Sequence, residues 1–234
     1  METRVIVALD FDSKERALRL VEELGDLIDY YKVGLELFSR AGIGIVEELY
    51  KLGKKVFLDL KYHDIPNTVK SAAKVAVEAG VSMYNLHALG GFELMRQVAE
   101  FNGEYSRELG VKRPLLIAVT ILTSMKEEDL KELGIERSLE EEVLHLASLA
   151  KKAGLDGVVC SAREVRLIKE RVGEDFITVT PGIRPLWAAK DDQERVVTPK
   201  MARELGADFI VIGRPITKAE NPREAAERVL EELS

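Results

Sequence analysis

A chain of 234 residues that is 46% hydrophobic and 32% charged suits one large packed domain or two small ones. Its 34 basic and 41 acidic side chains leave a net charge of −7 with no block of one sign, which argues against nucleic acid or an anionic membrane as the main partner. The single cysteine, Cys160, excludes an internal disulfide and fits a reducing compartment, and no apolar run approaches the ~18 residues of a membrane span.

Met1-Glu2-Thr3-Arg4 leads straight into strand-like sequence without a signal-peptide pattern, so the expected location is the cytoplasm. From there, short apolar runs alternate with amphipathic segments to the end of the chain. Strands are predicted at Arg4–Leu9, Tyr30–Val33, Lys55–Leu60, Met83–His87, Leu115–Thr120, Gly157–Cys160, Ile177–Pro181 and Phe209–Ile212. Between them the 3.6-residue period predicts helices over Lys14–Leu24, Ile43–Leu52, Val69–Ala79, Glu93–Leu109, Leu139–Ala153, Glu164–Val172, Pro199–Leu205 and Pro222–Leu233. The charges of Lys126–Lys131 read as a solvated helix face. Gly25, Gly53, Gly80, Gly110, Gly154, Gly173 and Gly206 stand where helices should stop, because glycine accepts the left-handed backbone that closes a helix. No Gly/Pro/Ser-rich linker divides the chain. Eight βα units in this length predict an α/β fold, a single (β/α)8 TIM-barrel domain over residues 1–234. A doubly wound sheet is the alternative, but the regularity of the units favours closure.

In such a barrel the site lies at the carboxyl ends of the strands. Strand one ends at Asp10, strand two at Lys32, and strand three at Asp59 and Lys61. Asp59 and Lys61 are two apart and so share one face of an extended strand, with Leu60 turned the other way. Two acids and two lysines therefore meet on one rim, although each alone also reads as a structural ion pair. The far side of the rim differs. Thr180-Pro181-Gly182-Ile183-Arg184 follows strand seven and Gly213-Arg214-Pro215 follows strand eight, where this fold usually binds phosphate. Glycine lets backbone N–H groups approach an anion, and arginine adds a planar fork matched to its oxygens.

The segment from Gly182 to Gln193 lacks apolar periodicity, carries the sole tryptophan, and reads as a lid over the mouth. The hydroxyls of Thr120-Ile121-Leu122-Thr123-Ser124 are placed to hydrogen-bond a polar ring. His87 ends strand four and reads equally as a base or a structural side chain. His63 reads as a local hydrogen-bonding group, and His145 sits on a helix away from the rim. No His/Cys/carboxylate cluster has metal-ligand spacing, and no GxGxxG follows a strand, so neither a metal nor a dinucleotide cofactor is expected.

With these residues in place, the chain resembles the bacterial type of orotidine 5′-phosphate decarboxylase. The similarity runs from Val7-Ala8-Leu9-Asp10 to Gly213-Arg214. Its most specific part is Asp59-x-Lys61-x-x-Asp64-Ile65-Pro66-Asn67-Thr68. Lys32-Val33-Gly34, Leu122-Thr123-Ser124, Pro181-Gly182-Ile183-Arg184, Gln193 and Gly213-Arg214 also match.

The resemblance implies conversion of orotidine 5′-monophosphate to UMP and CO₂, the last step of de novo UMP synthesis, without a cofactor. It implies that Lys61 is the proton donor, that Asp59 lies by the departing carboxylate, and that Lys32 and Asp10 bind the ribose. It implies a homodimer in which Asp64, Ile65 and Thr68 enter the neighbouring subunit's site. Thr123, Ser124, Pro181 and Gln193 would face the pyrimidine or the closed lid, and Arg184, Gly213 and Arg214 would hold the phosphate. The nearest rivals are related magnesium-dependent enzymes of sugar phosphates, which share the Asp-x-Lys-x-x-Asp core. The Ile65-Pro66-Asn67-Thr68 continuation and the Leu122-Thr123-Ser124 segment favour the orotidine enzyme. A barrel that only binds a phosphorylated metabolite is the other alternative, and retention of both lysines and all three acids argues against it.

Overall fold

Strands buried on both faces read as continuous apolar runs, and these runs pair side by side in sequence order. The computed structural model describes residues 2–188 and 197–234. Its strands are β1 (Arg4–Ala8), β2 (Tyr30–Gly34), β3 (Lys55–Tyr62), β4 (Met83–His87), β5 (Leu115–Val119), β6 (Gly157–Val159), β7 (Ile177–Thr180) and β8 (Phe209–Ile212). All neighbours are parallel, and β8 returns to pair with β1, so the sheet closes as a barrel and the doubly wound alternative is excluded.

The period-two alternation of each strand splits the core in two. Ile6, Ala8, Phe57, Met83, Ile117, Val179, Phe209 and Val211 fill the barrel interior. The intervening residues, such as Val7, Tyr31, Leu58, Tyr84 and Ala118, are buried outward against the helices. Those helices are α1 (Lys14–Leu24), α2 (Leu35–Ala41), α3 (Gly44–Lys51), α4 (Pro66–Glu78), α5 (Phe92–Leu109), α6 (Glu127–Glu132), α7 (Leu139–Lys152), α8 (Ala162–Arg171), α9 (Pro199–Glu204), α10 (Arg214–Thr217) and α11 (Pro222–Glu232).

Local chemistry fixes their ends. Ser138 Oγ accepts from the Glu141 amide at 3.3 Å while the Glu141 carboxylate accepts from the Ser138 amide at 3.0 Å, a reciprocal cap on α7. Ser161 and Glu164 repeat it at the start of α8. The seven glycines expected to close helices all have positive φ. Two short helices have no counterpart in the periodicity reading, because α2 and α10 present too few turns to show a period. The other departure is β3, which runs past Leu60 to Tyr62.

At the amino ends of the strands, opposite the rim, one buried ion pair ties three segments together. Lys169 of α8 donates to Asp208 at 2.7 Å and to the carbonyls of Glu174 and Phe176 at 3.0 and 2.9 Å. Asp208 also accepts from the Thr178 amide at 2.8 Å. The Lys169 side chain is only 6% exposed, so its removal leaves an uncompensated carboxylate in a poorly hydrated place. Lys169→Met is expected to lower unfolding free energy by about 3 kcal/mol, read from the urea midpoint at constant slope. An unchanged midpoint would show that the pair carries no stability.

Candidate active site

Four charges stand on the rim where β1, β2 and β3 end. Lys32 on β2 lies 2.9 Å from Asp10, just beyond β1, and 3.4 Å from Asp59 on β3. Lys61 completes the row, 2.7 Å from the other oxygen of Asp59. The order is acid, lysine, acid, lysine, so each lysine touches an acid and the row sums to zero formal charge. The Asp59 side chain is 11% exposed, a degree of burial tolerable for a carboxylate only because cations and a hydrogen-bond donor surround it.

The pairing of Asp59 with Lys61 is achieved by a route that strict alternation does not give. β3 and β4 run in register through Leu58↔Tyr84 and resume at Tyr62↔Leu86, so four steps along β3 match two along β4. The extra residues bulge out of the ladder. Within the bulge Lys61 adopts φ +53°, and it is the sole non-glycine residue with positive φ among the described residues. For a side chain with a Cβ this conformation costs about 1 kcal/mol and needs support from its surroundings. The Lys61 amide donates to Asn85 Oδ1 at 2.8 Å, and Asn85 Nδ2 donates to Asp59 Oδ1 at 2.7 Å. Asn85 had no part in the sequence expectation. Its signal was present: in β4 it shares the inward face with Met83 and His87, and a polar residue pointing into a barrel core has to be satisfied by something.

A cavity of about 380 Å³ opens beside this row. Asp10, Lys32, Asp59 and Lys61 form one wall, Phe57, Val119, Val159 and Val179 the apolar floor, and Pro181, Gly182, Arg184, Gly213 and Arg214 the opposite wall. Gly182 has φ +78°, a left-handed turn that orients the chain after β7. Gly213 leads directly into α10, so Arg214 stands at the mouth of β8. Thr123 lines the cavity from the loop after β5, while its neighbour Ser124 is exposed and does not.

Asp64, Ile65 and Thr68 are not brought to this cavity. All are exposed at the start of α4, Ile65 at 67%, and Asp64 accepts from the Ile65 amide at 2.7 Å. Gln193 lies outside the described residues, as does the rest of the expected lid from 189 onward. His87 does not line the cavity. Its ring lies 5.4 Å from that of His63, and burial, then His63, then Lys61 hold its pKa below the ordinary value. A histidine kept neutral beside Lys61 adds no positive charge to the row. His145 is exposed on α7.

A closed (β/α)8 barrel with a charge row on one wall of its mouth and paired glycine–arginine loops on the other defines an enzyme that acts on a small anionic metabolite. Comparison with known proteins narrows this. Residues 3–229 match the model of the Orotidine 5′-phosphate decarboxylase / HUMPS family. A protein named orotidine 5′-phosphate decarboxylase from Carboxydothermus hydrogenoformans is 52% identical over 233 residues, covering 100% of this chain and 97% of that one. One of the same name from Legionella pneumophila is also 52% identical, covering 100% of both. The crystal structure of orotidine 5′-phosphate decarboxylase from Lactobacillus acidophilus superposes with a TM-score of 0.89 at 42% identity, covering 100% of both chains. The chain belongs to the Orotidine 5′-phosphate decarboxylase / HUMPS family, and within it is an enzyme of the decarboxylase kind.

The row also depends on the absence of a side chain. A Cβ on Gly34 would lie 2.8 Å from Lys32 Nζ and 3.3 Å from Asp10 Oδ1. The φ of Gly34 is −100°, which any residue adopts, so alanine there displaces the lysine tip and leaves the backbone unstrained. Gly34→Ala is expected to keep its melting temperature within about 3 °C while kcat/KM falls about tenfold, the equivalent of ~1.4 kcal/mol. A variant with wild-type kcat/KM would show that the position of Lys32 is immaterial.

Proposed function

We propose that this chain converts orotidine 5′-monophosphate to UMP and CO₂ without metal or organic cofactor, with Lys61 as the proton donor, as the last step of de novo pyrimidine synthesis. The observation that carries the reading is the Lys61–Asp59–Lys32 contact row on a cavity whose far wall holds Arg184 and Arg214. It joins a proton source to a phosphate grip across a space of nucleotide size, and full-length relatives bear this enzyme's name.

The chemistry accounts for these residue types. Breaking the bond from C6 to the carboxylate leaves the electron pair on C6, in the plane of the ring, where the π system cannot delocalise it. Stabilisation then falls to fixed charges near C6, which act strongly where water is excluded. The Lys61 ammonium offsets the developing charge and gives its proton to C6, and the CO₂ departs neutral. Asp59, already 2.7 Å from Lys61, keeps that ammonium aimed and lies beside the leaving carboxylate. Lys32 and Asp10 take the ribose hydroxyls. Thr123 and Pro181 face the base, with Ser124 and Gln193 joining them when the mouth closes. Arg184, Gly213 and Arg214 hold the phosphate.

The working unit is a homodimer. Asp64, Ile65 and Thr68 turn away from their own cavity, and Ile65 presents a large apolar side chain at the rim. A second copy that covers them receives all three at its own cavity.

The direct assay is loss of orotidine monophosphate absorbance with EDTA present. Undiminished CO₂ release is expected, and a requirement for added magnesium would favour the sugar-phosphate enzymes of the same family. Lys61→Ala should lower kcat/KM well beyond the ~10²–10⁴ of lost general-acid help, because it also removes charge stabilisation. Retention of a tenth of the activity would exclude Lys61 as the donor. Asp64→Asn and Lys61→Ala subunits, each nearly inactive alone, should regain activity on mixing, since heterodimers hold one site free of both substitutions. Proven heterodimers without recovery would place Asp64 in its own subunit's site.

A further inference from the structure

We propose that Asn85 is the positioning residue of the site: its carboxamide holds the Lys61 backbone in its left-handed conformation and, through the same group, fixes the Asp59 carboxylate. The inference rests on the assignment of Lys61 as proton donor made above.

Asn85 is fully buried at the centre of β4 and does not line the cavity, so it acts through its neighbours. Its two polar atoms are both engaged. Oδ1 accepts from the Lys61 amide at 2.8 Å, and Nδ2 donates to Asp59 Oδ1 at 2.7 Å. The orientation of the amide is fixed by its partners, since a backbone N–H can only donate and an ionised carboxylate can only accept. Among side chains of this size, only a carboxamide offers an acceptor and a donor on one rigid plane without first taking up a proton. Ionised aspartate presents an acceptor to Asp59, leucine presents nothing, and serine is too short to span both partners.

The placement explains the irregular ladder. Where β3 departs from register with β4, its amide at Lys61 faces no β4 carbonyl in regular pairing, and the Asn85 side chain stands in. A buried N–H without that acceptor would be orphaned, and the positive φ of Lys61 would lose its support. Lys61 Nζ and Asp59 Oδ1 would then meet by chance side-chain rotation and not by a fixed backbone. Misplacement of a reacting group by about 1 Å lowers rates on the order of a hundredfold.

The test combines a measurement of turnover with one that needs none. Asn85→Ala should lower kcat about a hundredfold with KM changed less than about threefold, because the ribose and phosphate contacts lie on other strands. Asn85→Asp keeps the shape and supplies a chemical signature. Ionised, it sets a second carboxylate against Asp59; protonated, it accepts from the Lys61 amide and donates to Asp59 as asparagine does. Its kcat relative to wild type should therefore rise as pH falls, whereas that of Asn85→Ala should stay flat. The charged or titratable groups nearby are Asp59 and Lys61 of β3, Lys32 and Asp10 beyond them, and His87 with His63; β5 sets Ile117 opposite Asn85. Asn85→Ala keeps all of these groups and adds none, so its ratio to wild type is the control against which the rise in Asn85→Asp is read. Independently of activity, the Lys61 amide should exchange with solvent about tenfold faster in Asn85→Ala, while the Leu58 and Leu86 amides keep their protection.

Wild-type kcat in Asn85→Ala, unaltered Lys61 exchange, or a pH-independent ratio for Asn85→Asp would each overturn the proposal. If Asn85→Ala does not fold, the pH ratio of Asn85→Asp decides. If wild type leaves orotidine monophosphate intact, the proposed reaction falls, and the Lys61 amide exchange still decides whether Asn85 holds that backbone.

Discussion

A carboxylate out of water must be compensated, and the candidate site is arranged around that requirement at Asp59. Its side chain is 11% exposed and accepts from Lys61 and Asn85 on one oxygen, with Lys32 3.4 Å from the other. Each partner comes from a different place: β2, β4, and the bulged end of β3 itself. Losing the carboxylate would take from Lys61 its counter-charge and leave Lys32 to Asp10 alone. Losing any partner would leave Asp59 with an unmet desolvation penalty. The cluster is therefore held as a unit, and the backbone strain at Lys61 is tolerated because the unit fixes it.

The barrel supplies the other half of the electrostatics. Phe57, Val119, Val159 and Val179 put an apolar floor directly beneath the charge row. Fields from Lys61 and Asp59 are less screened there than at a solvated surface, and they require no reorganisation when charge develops beside them. The glycine–arginine wall stands across the cavity, after β7 and β8, strands that contribute no residue to the row. In the proposed reaction, grip and chemistry are carried by different parts of one sheet, and binding energy collected at the phosphate serves a centre it does not touch.

The opposite end of the barrel shows a different use of charge. The Lys169–Asp208 pair is more buried than the charge row, but its other partners include backbone groups in and just before β7, and it does not line the cavity. Burial of a charge pair alone does not mark function in this molecule. What separates the two is that the rim pairs share a wall of open space, whereas the basal pair is saturated by protein.

The sequence by itself determined the repeating order of strands and helices, since apolar runs, 3.6-residue periodicity and helix-closing glycines are local properties. It also placed Asp10, Lys32, Asp59, Lys61, Arg184 and Arg214 on one rim, because parallel closure sends every strand end to the same side. It could not show that β3 continues to Tyr62 through a bulge, because register is a property of two strands and not of one. Strict alternation put Asp59 and Lys61 on one face, and they do meet, but through a left-handed residue whose support comes from β4. Asn85 itself was legible only as a polar residue on an inward face; its role exists only once β4 lies beside β3. The same holds for the His63–His87 ring contact, and for Asp64, Ile65 and Thr68, which the resemblance implies are site residues and which the folded chain leaves exposed and off its own cavity. Local pattern fixes which residues reach the rim, and cross-strand contact alone decides which atoms touch.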